Sequence, residues 1–275
     1  MAAAASPADG SEFDTDTAIA PAGAGAWRAE ITPRWSIGAG PNGGYIAAIV
    51  CRAVMAESPF EHPLTMTVHY VERPVPGPAT VAVESVRTGR SHATFRATLS
   101  QERPVAVALA TTGRRRSGEP ESLQGEAPEY PRPADCISAK GPTVPGMTFR
   151  DRFRTRISSA DELMFMRTAP GPARTGGWTR LVDGRPLDDL AVPLFMDSWP
   201  PPMFSTFLGG GAPTIELTVH WRNPPGDGWH LALFRSRFLI GGYVDEDGEL
   251  WDEQGRLVAM SRQLARFVPP QAEPG

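Results

Sequence analysis

Four places in this 275-residue chain hold side chains that can do chemistry at positions where a purely structural residue would be costly. Asp197 ends a run, Leu187, Leu190, Ala191, Leu194 and Phe195, spaced as one face of a helix. Three residues beyond Leu194, it falls on the edge of that apolar stripe. A carboxylate there costs stability unless it is paired or hydrogen-bonded, and such groups often have shifted pKa values and act as bases. The same residue also fits a helix-terminal Asp that bonds local backbone ahead of Pro200. Gln263, in RLVAMSRQLARF, alternates with Leu257, Ala259 and Ser261 on one side of a strand pattern. Its amide both donates and accepts, so it can orient a water without consuming a proton; it also fits an exposed strand face. Thr214 follows GGGAP at a strand start, where its hydroxyl can hold a water or simply favour β structure. Finally, PNGGYIAAIVCRAVMAES opens a helix with two glycines. The start Asn42-Gly43-Gly44-Tyr45 offers free N–H groups at the positive end of the macrodipole, and glycine lets a carbonyl oxygen approach the backbone. Alternatively the glycines make room for packing, and Asn42 is a plain N-cap.

Those groups need a frame. The helix over residues 43–57 is apolar on nearly every side, as a buried helix is, and ends at Ser58-Pro59. Strand-like runs follow at 64–73, 79–88, 92–101 and 104–112, broken by PGP, TGR and QERP. A second series reads as strands at 148–157 and 177–182, a helix at 187–197, and strands at 214–222, 229–240, 247–253 and 256–267. The two series are related. LTMTVHYVERP (from Leu64) matches IELTVHWRNPP (from Ile215), and RPVAVALA (from Arg103) matches RLVAMSRQ (from Arg256), at offsets of 151 and 153 residues. Two matches in the same order at nearly equal offset indicate duplication. The fold class is therefore α+β, two antiparallel sheets each wrapped around a central apolar helix and paired as pseudo-identical halves. The expected organisation is a disordered tail over 1–24, a first unit over 25–112, a Pro/Gly/Glu-rich linker over 113–145, a second unit over 146–268, and a tail over 269–275.

Bulk properties narrow the function. The chain is 41% hydrophobic and 21% charged with net charge −4, which argues against a nucleic-acid partner. Its two cysteines, Cys51 and Cys136, support neither a disulfide framework nor a zinc site, and a reducing, cytoplasmic setting fits them. No apolar run approaches the ~20 residues of a membrane span. No P-loop, dinucleotide fingerprint or HExxH pair appears, GRSHA around Ser91 is not a nucleophile elbow, and no cofactor or metal is expected. Tyr45, Ile49, Trp199, Met203, Phe204 and Phe207 are candidate lining for an apolar slot. Arg114 to Arg116, and the alternating Arg150, Arg152, Arg154 and Arg156, fit either an anion site or a solvated face.

PNGGYIAAIVCRA, VHYVERPVPGP and GRSHATFRATLSQERPVAVALAT resemble the acyl-CoA thioesterase II-like family, over most of residues 27–112 and 148–268. The resemblance implies a double hotdog fold and hydrolysis of fatty acyl-CoA by an activated water, with no metal and no covalent intermediate. It implies that Asp197, Thr214 and Gln263 position that water. From its own residues the helix start at Asn42 to Tyr45 is expected to meet the substrate's carbonyl, and the expected partners are acyl-CoA and further copies of the chain, as a homodimer or larger homo-oligomer of double-hotdog units. The chain departs from the family pattern in the Pro-rich DSWPPP and in NGGY at the helix start. A hotdog hydratase or dehydratase, and a non-catalytic acyl-thioester-binding protein, are the competing readings.

Overall fold

A computed structural model of the chain describes residues 10–38, 40–115, 123–139, 145–166 and 168–270. Residues 1–9 and 271–275 of the two expected tails, and 116–122 and 140–144 of the expected linker, Arg116 among them, lie outside the described residues. In chain order the elements are α1 (Glu12–Asp16), β1 (Ile19–Gly23), β2 (Ala26–Ile31), α2 (Gly43–Glu57), β3 (His62–Tyr70), β4 (Gly77–Thr88), β5 (His92–Ser100), β6 (Pro104–Gly113), β7 (Ile137–Ser138), β8 (Phe153–Ile157), α3 (Glu162–Phe165), β9 (Arg174–Leu181), α4 (Val192–Phe195), α5 (Met203–Phe207), β10 (Thr214–Trp221), β11 (His230–Arg235), β12 (Leu239–Ile240), β13 (Tyr243–Asp252) and β14 (Leu257–Arg266).

The two expected sheets are one. The strands run β1-β2-β4-β5-β6-β3-β10-β14-β13-β11-β9-β8-β7 as a single sheet, with β12 on β13. The halves join where β3 pairs antiparallel with β10. At that seam Thr67 stands directly opposite Thr218, its repeat equivalent, and their hydroxyls are 2.8 Å apart. Equivalent residues meeting face to face is what a pseudo-two-fold interface requires. It also explains why the repeated segment is the best-kept one.

α2 is the buried helix the pattern predicts. Tyr45 through Val50 are each 0% exposed, and the helix packs on β3, β4, β5 and β6 on one side and on α4 on the other. Its counterpart differs from expectation. The helix predicted over 187–197 shrinks to the single turn Val192–Phe195. Pro193 stands in its first turn, where no hydrogen bond is lost, but Pro200, Pro201 and Pro202 follow and prevent extension. Leu187, Ala191, Leu194 and Phe195 still enter the core, so the apolar face survives without a full helix.

The expected disordered tail is also corrected. Residues 12–23 form α1 and β1, and Phe13 is 0% exposed. Asp14 is held by Arg52 from the first half and Arg185 from the second, while the Arg185 guanidinium lies 4.7 Å from the Phe13 ring. Asp16 accepts from Arg34 and from the Trp35 indole. Part of the linker is ordered as well. Tyr130, Cys136 and Trp178 pack with Leu231 and Trp251 over the second half's outer face, and Trp178 Nε1 donates to Pro131 O at 2.7 Å.

Candidate active site

The start of α2 shows how the sequence builds the site. Asn42 has extended backbone and caps the helix, its Oδ1 accepting from Tyr45 N–H at 2.9 Å. Its Nδ2 points the other way and donates to Asp197, to Oδ2 at 2.8 Å and to the backbone oxygen at 3.0 Å. Gly44 N–H donates to the same Oδ2 at 2.8 Å. Asp197 thus caps the buried helix of the opposite half, with its charge at the positive end of the dipole. Burial pushes its carboxyl up to about 6, against the hydrogen bonds from Gly44, Asn42 and Gly43 that favour the ionised form. Among the described residues the hydrogen bonds from Asn42 and Gly44 both fall on Oδ2.

This geometry changes the expected role of the glycines. A Cβ on Gly44 would stand 2.5 Å from Pro193 O and 2.8 Å from Asp197 Cβ. A Cβ on Gly43 would meet Asp197 Oδ2 and the Tyr70 ring, each at 3.1 Å. Glycine is required because two chain segments cross here at backbone distance. Gly44 N–H, expected to be free, is spent on Asp197, and Tyr45 N–H on Asn42.

The strands supply the facing wall. On β14, Ser261, Gln263 and Ala265 are buried and alternate with exposed residues. Gln263 is 5% exposed and opposed to Leu217 on β10 and to Glu246 on β13. Gln263 Oε1 and Ser261 Oγ are buried without a protein partner among the described residues. Glu246 is 8% exposed and makes no hydrogen bond or ion pair among the described residues. Burial, then the nearby charges of Asp197, Asp245 and Asp247, hold it well above the usual carboxylate range. Tyr70 donates to Gly43 O at 2.8 Å and feels the charge of Asp197. Glu246 thus stands opposite Gln263 across the strands and lies close enough to Asp197 to feel its charge.

Sequence reasoning missed Glu246 and Tyr70. Period-2 alternation in YVDEDGELWD puts Val244, Glu246, Gly248 and Leu250 on one face, an apolar face carrying one carboxylate. That signal is masked because Glu246 sits inside DEDGE, which reads as solvated. Thr214 pairs with Ala265 at a bulge in β10 and makes no side-chain hydrogen bond among the described residues, so it is not bonded to Asp197 or Gln263. Tyr45 is corrected: its ring stacks on Trp35, its hydroxyl donates to Asp16 O at 2.8 Å, and it is 0% exposed, so it is core and lines no slot. Ile49, Met203 and Phe204 are likewise buried in the apolar clusters. Trp199 does reach open space. With Ser198 and Pro200 it forms one wall of a cavity of about 410 Å³ whose lining does not include Asp197.

The site thus holds a carboxyl raised by burial at a helix start, with a second buried carboxyl, Glu246, close enough to feel its charge. The comparisons define the class. Residues 31–113 match the model described as acyl-CoA thioesterase N-terminal domain, and residues 128–267 the one described as acyl-CoA thioesterase C-terminal domain. The chain belongs to the acyl-CoA thioesterase family and is a thioester hydrolase.

Among solved structures, it is similar to a putative thioesterase II from Thermobifida fusca (29% identity, TM-score 0.86, covering 93% of this chain and 97% of that one). It is also similar to a protein of unknown function with a hot dog fold from Alicyclobacillus acidocaldarius (26% identity, TM-score 0.84, covering 95% and 100%). An uncharacterized protein of Mycobacterium tuberculosis is 26% identical, with 88% of this chain and 90% of that one covered. No helix among the described residues is long and apolar enough to cross a membrane.

Proposed function

We propose that the protein is a double hotdog that hydrolyses fatty acyl-CoA thioesters by general-base activation of water. Asp197 takes the water's proton, and Gln263 and Thr214 orient that water. The new C–O bond forms as the C–S bond breaks. Glu246, neutral beside an ionised Asp197, supplies the proton that the departing sulfur takes up. A proton passed from Asp197 to Glu246 resets the pair. Two carboxyls in one enclosed space cannot both ionise cheaply, so their pKa values part and their roles divide.

The observation that carries this reading is the raised carboxyl of Asp197, bonded to Gly44 and Asn42, with Glu246, the cross-strand neighbour of Gln263, close enough to feel its charge. The hydratase reading needs a carboxylate–histidine pair at this mouth. Among the described residues such a contact is His62 with Asp189, at the far end of α2, where Arg115 already pairs with Asp189. The test is product analysis on a series of saturated and 2-enoyl-CoA esters of rising chain length. Free acid and free thiol in equal amounts support hydrolysis; a hydroxyacyl-CoA product, or tight binding with no product, sinks it.

A further inference from the structure

Apolar side chains gather at one end of the second half's strands, outside the core. Phe207, Leu208, Phe238, Ile240, Tyr243 and Val268 are all exposed, Ile240 by 72%. They come from three segments tied together at one place. Val268 and Gly211 exchange backbone hydrogen bonds at 2.8 Å, and Phe267 N–H donates to Gly242 O at 2.8 Å. The Phe207 and Phe267 ring centroids lie 5.0 Å apart. Ile240 stands opposite Tyr243 across β12 and β13, so the turn at Gly241-Gly242 carries both at its tip. An exposed apolar cluster of this kind marks a surface that meets another apolar body. Phe207, a candidate for lining an internal slot, is part of this outer cluster.

The cluster borders the site. Thr214, Glu246 and Gln263 lie three residues along the chain from Gly211, Tyr243 and Arg266 respectively, about 10 Å at the rise of a strand. A basic band surrounds it. Arg235 and Arg237 lie 3.9 and 3.5 Å from Asp247, and Arg262 lies 2.8 Å from Asp247 and 3.6 Å from Asp245. Those arginines share two carboxylates. Arg266, opposite Tyr243, is exposed and makes no ion pair among the described residues. Glu216, opposite Leu264, accepts from the Thr218 hydroxyl and leaves the band positive. The chain as a whole carries −4, so this band is a local departure.

The charge decides what sits here. A second copy placed on a two-fold axis would set the same arginines against themselves, and like charges facing across a contact repel. An anionic lipid surface presents the opposite sign. Apolar side chains below the headgroups with arginines among them are how proteins lie on such a surface.

We propose that this rim docks on an anionic lipid surface, with Leu208, Phe238 and Ile240 entering the boundary between headgroups and acyl chains and Arg237 and Arg266 on the lipid phosphates. The use of such docking rests on the hydrolase reading above: a long acyl thioester partitions into lipid, and the rim brings Glu246 and Gln263 to the surface that holds it.

The test is co-sedimentation of the full chain with vesicles of phosphatidylcholine alone or mixed with phosphatidylglycerol. Wild type is expected to pellet with the mixed vesicles, and less so as salt rises. Phe238→Ser/Ile240→Ser, at two exposed positions, is expected to lower the partition coefficient about 10-fold or more. Arg266→Glu is expected to lower it about 10-fold on mixed vesicles and to leave binding to phosphatidylcholine alone unchanged. Should the double variant fail to fold, Arg266→Glu decides alone. Wild type that pellets with neither vesicle, or variants that pellet as wild type does, overturn the proposal. So does sedimentation velocity in which wild type without lipid is a larger assembly than the double variant, because the rim is then a contact between copies. Vesicle binding needs no turnover. Binding without hydrolysis therefore supports the rim while the hydrolase reading falls, and hydrolysis without binding overturns the rim alone.

Discussion

The position of Asp197 makes a prediction about stability as well as rate. An Asp whose carboxyl moves from an ordinary 3.8 to about 6 on folding disfavours the folded state whenever it is ionised. At about 1.4 kcal/mol per tenfold change, the penalty is about 3 kcal/mol, an upper value because the residue keeps some contact with solvent. The sign follows from proton binding. Between the two pKa values the folded chain holds a proton that the unfolded chain has released. The penalty is thus complete above pH about 6 and relieved as pH falls toward 3.8. Asp197→Asn removes the ionisation while its amide oxygen can take the place of Oδ2 and accept from both Gly44 N–H and Asn42 Nδ2. The weakening of those bonds on losing the charge is the same at every pH above the range in which Asp197 titrates. Urea denaturation of wild type and variant should therefore give a stability difference that shifts in the variant's favour by up to about 3 kcal/mol between pH ~4 and pH ~8. A difference flat across that range, or one that shifts toward wild type as pH rises, refutes the placement of this carboxyl.

Three further substitutions separate roles the site combines. Gly44→Ala pushes a methyl into Pro193 O and Asp197 Cβ, and should cost about 3 kcal/mol or more by denaturation; a loss under about 1 kcal/mol would mean the crossing is looser than described. Tyr45→Phe removes the hydroxyl that bonds Asp16 O and Thr32 N–H, and should lower stability by about 1–2 kcal/mol with KM and kcat unchanged. Altered KM would return Tyr45 to the substrate slot. Glu246→Gln should lower kcat about 10- to 100-fold on an alkyl thioester. An aryl thioester, whose thiol leaves without a proton, should recover most of that loss; an equal loss on both would make Glu246 a structural residue.

The first half was legible because its signals are local and agree: an all-round apolar run for α2, period-2 strands, and Gly/Pro breaks at the turns. The repeat was legible too, and its best-matched residues, Thr67 and Thr218, turned out to face each other. The second helix was misjudged because the apolar spacing from Leu187 to Phe195 persists through a segment whose prolines deny it helical length. The N-terminal segment looked disordered because its anchors, Arg52 and Arg185, lie far along the chain. Asp197 was left between a catalytic base and a backbone cap. It caps backbone, but that of α2, brought from 153 residues away. No local pattern encodes such a contact, and the same holds for Glu246, which stands opposite Gln263 of β14 and within reach of the charge of Asp197.

The account stands on Asp197 as the base, and free-thiol release from acyl-CoA by wild type and Asp197→Asn across pH measures that directly. Wild-type kcat/KM should rise with pH through a value near 6, and the variant, folded and at least as stable near neutral pH, should lose about 100-fold or more. A folded variant that releases thiol at the wild-type rate, with the same pH dependence, would contradict it.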